Sequence, residues 1–345
     1  MNNEKKSQVA VIALWVLVIL GLLALGLAHR VSLGLRLNRF QRDSLKAHYL
    51  AKAGIAKAVA LLLKDNNTTV DSFQDLWSSG KDAGGRDILQ EVKFEPDSNE
   101  SFTVGYFYKE GDFRCLEDEE RKLNINKMDR EQFKKLFNIR VKDNLLNESE
   151  IERLADIILA WRTPSEASDT PSIYKKEDFT VLEELLTVFE YYFRDVKRLP
   201  DFQEKARQLY TAVEDILTVY GDDKVNLNTA LPDVLEVILR TVNVTAATES
   251  DITGVKNALV GFQENNCYFE DISNVVDRLK QDNCGGFSLN ELQGQLINTT
   301  INKFKLNSQY FRIQSIGRVG DISKRITAVV KRDNGSVRLL YWRQN

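Results

Sequence analysis

The chain has 345 residues, 43% apolar and 28% charged, with Lys+Arg 47 against Asp+Glu 50 and a net charge of −3. That length allows one large domain or two to three small ones, and the near-neutral, slightly acidic balance argues against a basic nucleic-acid groove. Five prolines exclude a Pro-rich or collagen-like chain, and two histidines, His29 and His48, leave little basis for a His-dominated metal site or a His-dependent nucleophile.

After a short polar head, MNNEKKSQ, Val9 to Ala28 is a run of twenty uncharged residues, VAVIALWVLVILGLLALGLA. At about 1.5 Å per residue it spans roughly the 30 Å hydrocarbon core of a bilayer. A secretory signal peptide has a shorter apolar core and a small-x-small cleavage site, which Leu27-Ala28-His29-Arg30 does not offer, so an uncleaved membrane anchor is expected. The head carries Lys5 and Lys6 against Glu4, and the other flank carries Arg30, Arg36, Arg39 and Arg42. By the positive-inside count alone the large C-terminal part would lie in the cytoplasm.

Helical patterning continues past Ala28. Apolar or small residues recur at 33, 37, 40, 47, 51, 54, 58 and 62, and Arg36, Arg39, Arg42 and Lys46 mark another face. One helix over 9–63 is predicted, apolar all round in its first half (9–28) and amphipathic in its second. Residues 64–116 open with a polar loop and then read as strands at Ile88–Phe94 and Ser101–Lys109, the latter with Phe102, Val104, Tyr106 and Tyr108 alternating. Residues 117–305 read as mostly helical. Ile151, Leu154, Ala155, Ile158 and Leu159 follow Asn147–Glu150, and Thr180–Glu183 fits a capping box before Leu185, Leu186 and Phe189. Thr229 and Pro232 start a helix through Leu239. Residues 306–345 return to strands, with Asn334-Gly335 as a hairpin turn. The order of long helix, strands, helical block and strands predicts an α+β fold with a helical insertion in a sheet domain.

Two segments echo each other. Lys122-Leu-Asn-Ile-Asn126 and Lys224-Val-Asn-Leu-Asn228 share K-[LV]-N-[IL]-N, and each precedes an amphipathic helix that its Asn residues are expected to cap. Runs such as Glu117-Asp-Glu-Glu120 read as solvated faces. No G-x-S-x-G, G-x-x-x-x-G-K, G-x-G-x-x-G or H-E-x-x-H occurs, so the sequence offers no catalytic motif.

ALWVLVILGLLALG, AKAGIAKAVALL, EERKLNIN with its counterpart KVNLNTALPDVLEVIL, ADIILAWR, FTVLEELLTV and YFRIQSIGRVGDISKRITAVVKR together resemble, in order and over nearly the whole chain, the type II secretion minor pseudopilin K family. The resemblance implies a long membrane-spanning N-terminal helix carrying a pilin-like sheet domain with a large inserted helical domain. It implies a short cytoplasmic leader, here residues 1–8, removed by prepilin peptidase, and a body outside the cytoplasm, against the charge count. The processing site then falls at Ser7, Gln8 and Val9, where the Gly usual before the cut is missing, so slow or absent cleavage is expected. Cutting after Ser7 or Gln8 puts Ile12 or Ala13 at the fifth mature position, where most pilin-like subunits carry Glu. A tip subunit has no neighbour ahead that needs that charge, and an unpaired carboxylate in hydrocarbon is costly.

The family's calcium site implies ligands after Trp161-Arg162, namely Glu166 and Asp169 with Asp178 or Glu177 further on, and Thr163 stands where the family tends to have Asp. With the body outside the cytoplasm, a Cys267–Cys284 disulfide closing a short loop is expected, leaving Cys115 single. The function implied is that of a non-enzymatic tip subunit of the secretion pseudopilus, anchored in the inner membrane. Its partners would be I- and J-type minor pseudopilins, the major pseudopilin and prepilin peptidase, with no nucleic acid. Ile12, Ala13, Leu33, Leu37 and Phe40 are the expected assembly face of the helix. An accessory subunit of a type IV pilus or DNA-uptake filament is the alternative.

Overall fold

A computed structural model describes residues 2–65, 67–82, 84–109, 112–141, 145–162, 174–242, 244–333 and 335–344; in the first helix, side chains are described from Leu14 onward. Helix α1 spans Asn2–Lys64, 63 residues and about 95 Å, so it begins seven residues before the apolar run. The single turn α2 (Leu76–Ser79) follows. Strand β1 is only Val92–Lys93, shorter than the predicted 88–94 because Glu91 takes a positive φ of 47° and turns the chain. The predicted strand 101–109 is two strands, β2 (Glu100–Val104) and β3 (Tyr106–Lys109), broken at Gly105. Gly105 has φ 150°, and a Cβ there would stand 2.4 Å from the Arg114 carbonyl. There the chain leaves the sheet, forms a hairpin of β3 with β4 (Asp112–Arg114), and returns as β5 (Leu116–Asp118).

The helical block has two halves of one plan. The first runs β6 (Leu123–Asn124), α3 (Arg130–Arg140), α4 (Glu148–Arg162), α5 (Glu184–Tyr191), α6 (Phe202–Val213) and β7 (Leu217–Thr218), with β7 returning parallel to β6. The second runs β8 (Val225–Asn226), α7 (Pro232–Thr241), α8 (Glu249–Glu264), the short α9 (Val275–Leu279), α10 (Glu291–Thr300) and β9 (Phe304–Lys305), with β9 parallel to β8. The echoed K-x-N-x-N motifs open the two halves.

Their asparagines do not cap the following helices. Asp129 caps α3 in a box with Gln132, and α7 starts on Pro232 at its first position. Instead, the first Asn of each motif accepts from the N–H two residues on, and the second grips remote chain. Asn126 accepts the Phe179 N–H at 2.8 Å and donates to its carbonyl at 2.9 Å; Asn228 does the same to Phe269 at 2.7 and 3.0 Å. The capping carboxylate before α5 is also one residue later than predicted: Glu184, not Glu183, accepts from the Thr180 N–H and hydroxyl and from the Val181 N–H.

Strands β10 (Tyr310–Val319), β11 (Ile322–Asp333) and β12 (Ser336–Gln344) complete an antiparallel sheet of order β1-β2-β10-β11-β12. Strand β10 shares one edge between β2, along 315–319, and β5, along 311–313. The β11–β12 turn carries Gly335 at φ 75°; Asn334 lies outside the described residues. The upper half of α1 lies on this sheet, burying Ala47, Leu50, Ala51, Ile55, Ala58 and Leu62 against Phe102, Val104, Phe311, Ile313 and Ala328. Close approach depends on Gly317, where a Cβ would stand 2.0 Å from the Ala47 carbonyl and 2.5 Å from the Ala51 nitrogen. A separate apolar core, from Leu123 to Leu306, holds the helical block.

Candidate functional site

The stripe that packs α1 onto the sheet continues below it with nothing over it. Ala47, Ala51 and Ala58 are fully buried, whereas Leu33, Leu37 and Phe40 are 61%, 54% and 57% exposed. At 100° per residue these three lie on the side of the helix that is buried higher up. Between Ala28 and the first sheet contacts, α1 is therefore a bare stem. No acidic residue occurs between Glu4 and Asp43, while Arg30, Arg36, Arg39 and Arg42 do. Leu14–Lys64 is long and apolar enough to cross a membrane, and its most apolar stretch is wholly unburied. Ser7, Gln8, Val9, Ile12 and Ala13 lie within the helical span of α1, but their side chains lie outside the described residues.

Near the top of the stem, Phe40, Gln41, Ser44, Leu45 and His48 form one wall of a groove of about 500 Å³. Lys324 and Arg325 from the start of β11 and Gln344 from the end of β12 form the other.

Where the block joins the sheet lies a buried charged junction that contradicts the solvated reading of 117–120. Asp118, Glu119 and Glu120 are 1%, 0% and 3% exposed. Asp118 accepts hydrogen bonds from Thr229 and Ser308 at 2.6 Å and from the Asn226 amide at 3.0 Å. Glu119 pairs with Arg312 and accepts from the Thr218 hydroxyl. Glu120 pairs with Lys305 at 2.6 Å, and Lys122 with Glu117 at 2.6 Å. Nearby, Arg332 bridges Asp71 and Asp65 at 2.6 and 2.7 Å.

The balance of burial and pairing differs among these carboxylates. Burial pushes Glu119 up, but Arg312 and Lys122, with hydrogen bonds from Arg312 and Thr218, outweigh it and hold the carboxyl down at about 2. Burial wins at Asp71, raised to about 7 despite Arg332, and it also raises Glu120 despite Lys305. The junction ties both halves of the block to the sheet through groups that cannot stay buried unpaired. A cleft of about 350 Å³ beside it is lined by Glu117, Lys122, Arg312, Tyr210, Tyr220 and Tyr341, its two cations already paired within the chain.

Of the expected calcium ligands, Glu166 and Asp169 lie outside the described residues, as does Thr163. Asp178 is exposed, and its carbonyl accepts from Lys175. Among the described residues no group of three or more His, Cys, Asp or Glu could hold a metal ion, so what is described does not itself fit calcium. Cys267 and Cys284 are joined by a disulfide, with Cα atoms 5.9 Å apart. Cys115 is a buried free thiol, pushed up to about 12 chiefly by that burial.

Sequence reasoning missed the junction because its carboxylates are neighbours in sequence while their partners lie up to 193 residues away. The one available signal was compositional: residues 306–345 hold eight basic and two acidic residues, so they can supply cations to an acidic block.

No family model matches the chain, and no curated protein matches it. Among solved structures it is similar to a chain in the crystal structure of the GspK-GspI-GspJ complex of the enterotoxigenic Escherichia coli type 2 secretion system. The TM-score is 0.56 at 13% sequence identity, covering 89% of this chain and 99% of that one. The chain thus shares its fold with a subunit of that complex, which is matched over nearly its whole length.

Proposed function

We propose that this chain is a non-enzymatic minor pseudopilin, the tip subunit of a type II secretion pseudopilus, working by assembly with I- and J-type minor pseudopilins. The observation that carries the reading is the bare continuation of a packing stripe at Leu33, Leu37 and Phe40. Exposed apolar side chains at helical spacing on a stem without its own cover suit a neighbouring helix. The shared fold supports the same reading, since the similar chain is crystallised with GspI and GspJ. In this proposal residues 9–28 sit in the inner membrane, the leader 1–8 faces prepilin peptidase in the cytoplasm, and the body lies in the periplasm. The helical block caps the fibre, leaving the stem to reach the subunits below, the major pseudopilin among them.

Co-purification of the detergent-solubilised full chain with I- and J-type subunits tests it. Leu37→Glu with Phe40→Glu should abolish capture while leaving the melting temperature unchanged, because both side chains are exposed. Capture that is absent in the unaltered chain, or indifferent to both substitutions, would sink the proposal.

A further inference from the structure

The groove at the top of the stem has a charge character that no ion pair among the described residues answers. Lys324 and Arg325 both line it, Lys324 on the face of β11 that Ile326 and Ala328 turn toward α1, and neither forms an ion pair among the described residues. Elsewhere on the sheet domain Lys46 pairs with Glu100, Lys331 with Asp333, and Arg332 with Asp65 and Asp71. The groove is continuous with the bare stripe. Leu33, Leu37, Phe40, Ser44 and His48 follow one another at steps of three and four, so a helix packed along the stem runs upward into it.

We infer that the groove receives the stem helix of another pilin-like subunit, apolar where it meets Leu33, Leu37 and Phe40, and acidic where it meets Lys324 and Arg325. This rests on the assembly reading and adds the chemistry by which the partner is chosen. An anionic lipid headgroup matches the charge but not the position. Phe40 and Leu45 lie about 18–26 Å along the helix beyond Ala28, whereas the headgroup layer is only about 5–8 Å thick on each side. A partner helix reaches that height, and a carboxylate on it gains a cation on a rim where salt still screens the pair.

The test uses the full-length chain in detergent with full-length I- and J-type minor pseudopilins, comparing the unaltered chain with Lys324→Glu/Arg325→Glu. Neither side chain has an ion-pair partner to lose among the described residues, so the variant should melt at the same temperature. Affinity should fall by about tenfold, the salt dependence of binding should shrink, and replacing stem carboxylates of the partner by Lys should restore binding. Binding by the unaltered chain that is untouched by the charge reversal overturns the groove while leaving the assembly reading intact. No binding by the unaltered chain overturns both. Two further results also overturn the choice of occupant: binding of the chain alone to phosphatidylglycerol vesicles, or self-association of the chain, either one lost on charge reversal.

Discussion

Replacing Asn228 by Ala should destabilise the helical block more than the equivalent change at Asn126. Asn228 is 2% exposed and Phe269 1%. The substitution removes two hydrogen bonds, at 2.7 and 3.0 Å, and strands the buried N–H and carbonyl of Phe269. At about 1 kcal/mol per lost bond, plus the penalty for unsatisfied groups, the expected cost is about 2–4 kcal/mol. Asn126 makes the same pair of bonds at 2.8 and 2.9 Å but is only half-buried, so water can replace part of what is lost and about 1–2 kcal/mol is expected. For a unit of this size, about 3 kcal/mol corresponds to a melting shift of about 6–12 °C. Thermal unfolding of the detergent-solubilised chain, followed by helical circular dichroism, reads the difference. Asn228→Asp should be no better than Ala, since its carboxylate keeps the acceptor but faces the Phe269 carbonyl. An Asn228→Ala variant within about 0.5 kcal/mol of the unaltered chain, or one less damaged than Asn126→Ala, would refute the clamp.

The low carboxyl of Glu119 contributes stability present above its ordinary value of 4.5 and lost as pH falls toward about 2. A pH series of melting temperatures should show that loss, and Glu119→Gln should flatten it while lowering stability at neutral pH. The Cys267–Cys284 bond spans 17 residues, so Cys→Ala at both positions should cost about 3 kcal/mol. Intact mass should be two hydrogens below the fully reduced value when the body is exported; a reduced pair in exported protein would count against it. On the calcium expectation raised by the resemblance, millimolar calcium should raise the melting temperature and Glu166→Ala with Asp169→Ala should abolish the gain; a curve unmoved by calcium or chelator removes that expectation.

The elements that could be read from the sequence are those set by local periodicity. Apolar length gives α1, alternation and a turn signal give β11 and β12, and Pro232 starts α7. Reading failed where a single residue's backbone or a remote partner decides. Gly105 breaks a strand that its neighbours would continue, and Glu91 delays the start of another. Glu117–Glu120 has the composition of a wet surface and is buried because Arg312, Lys305, Thr218, Thr229 and Ser308 arrive from elsewhere in the chain. The repeated Asn motif was visible, but its use was not: the Phe residues it grips lie 53 and 41 positions downstream. At the stem, spacing alone placed Leu33, Leu37 and Phe40 on one face. The groove beside them needed Lys324 and Arg325, which no local pattern links to α1.

The glycine-permitted contact between α1 and β10 has a mechanical consequence. At Gly317 the Ala47 carbonyl and Ala51 nitrogen meet the strand backbone to backbone, while above it Leu50, Ile55, Phe311 and Ile313 fill the interface. Tension along the axis of α1 then loads that joint in shear. Strand β10 is hydrogen-bonded to β11 on one edge and to β2 and β5 on the other, so the load spreads laterally across the sheet. Strand β5 runs into the charged junction and β10 contributes Arg312 to it, so load on that joint has a direct hydrogen-bonded path to the helical block.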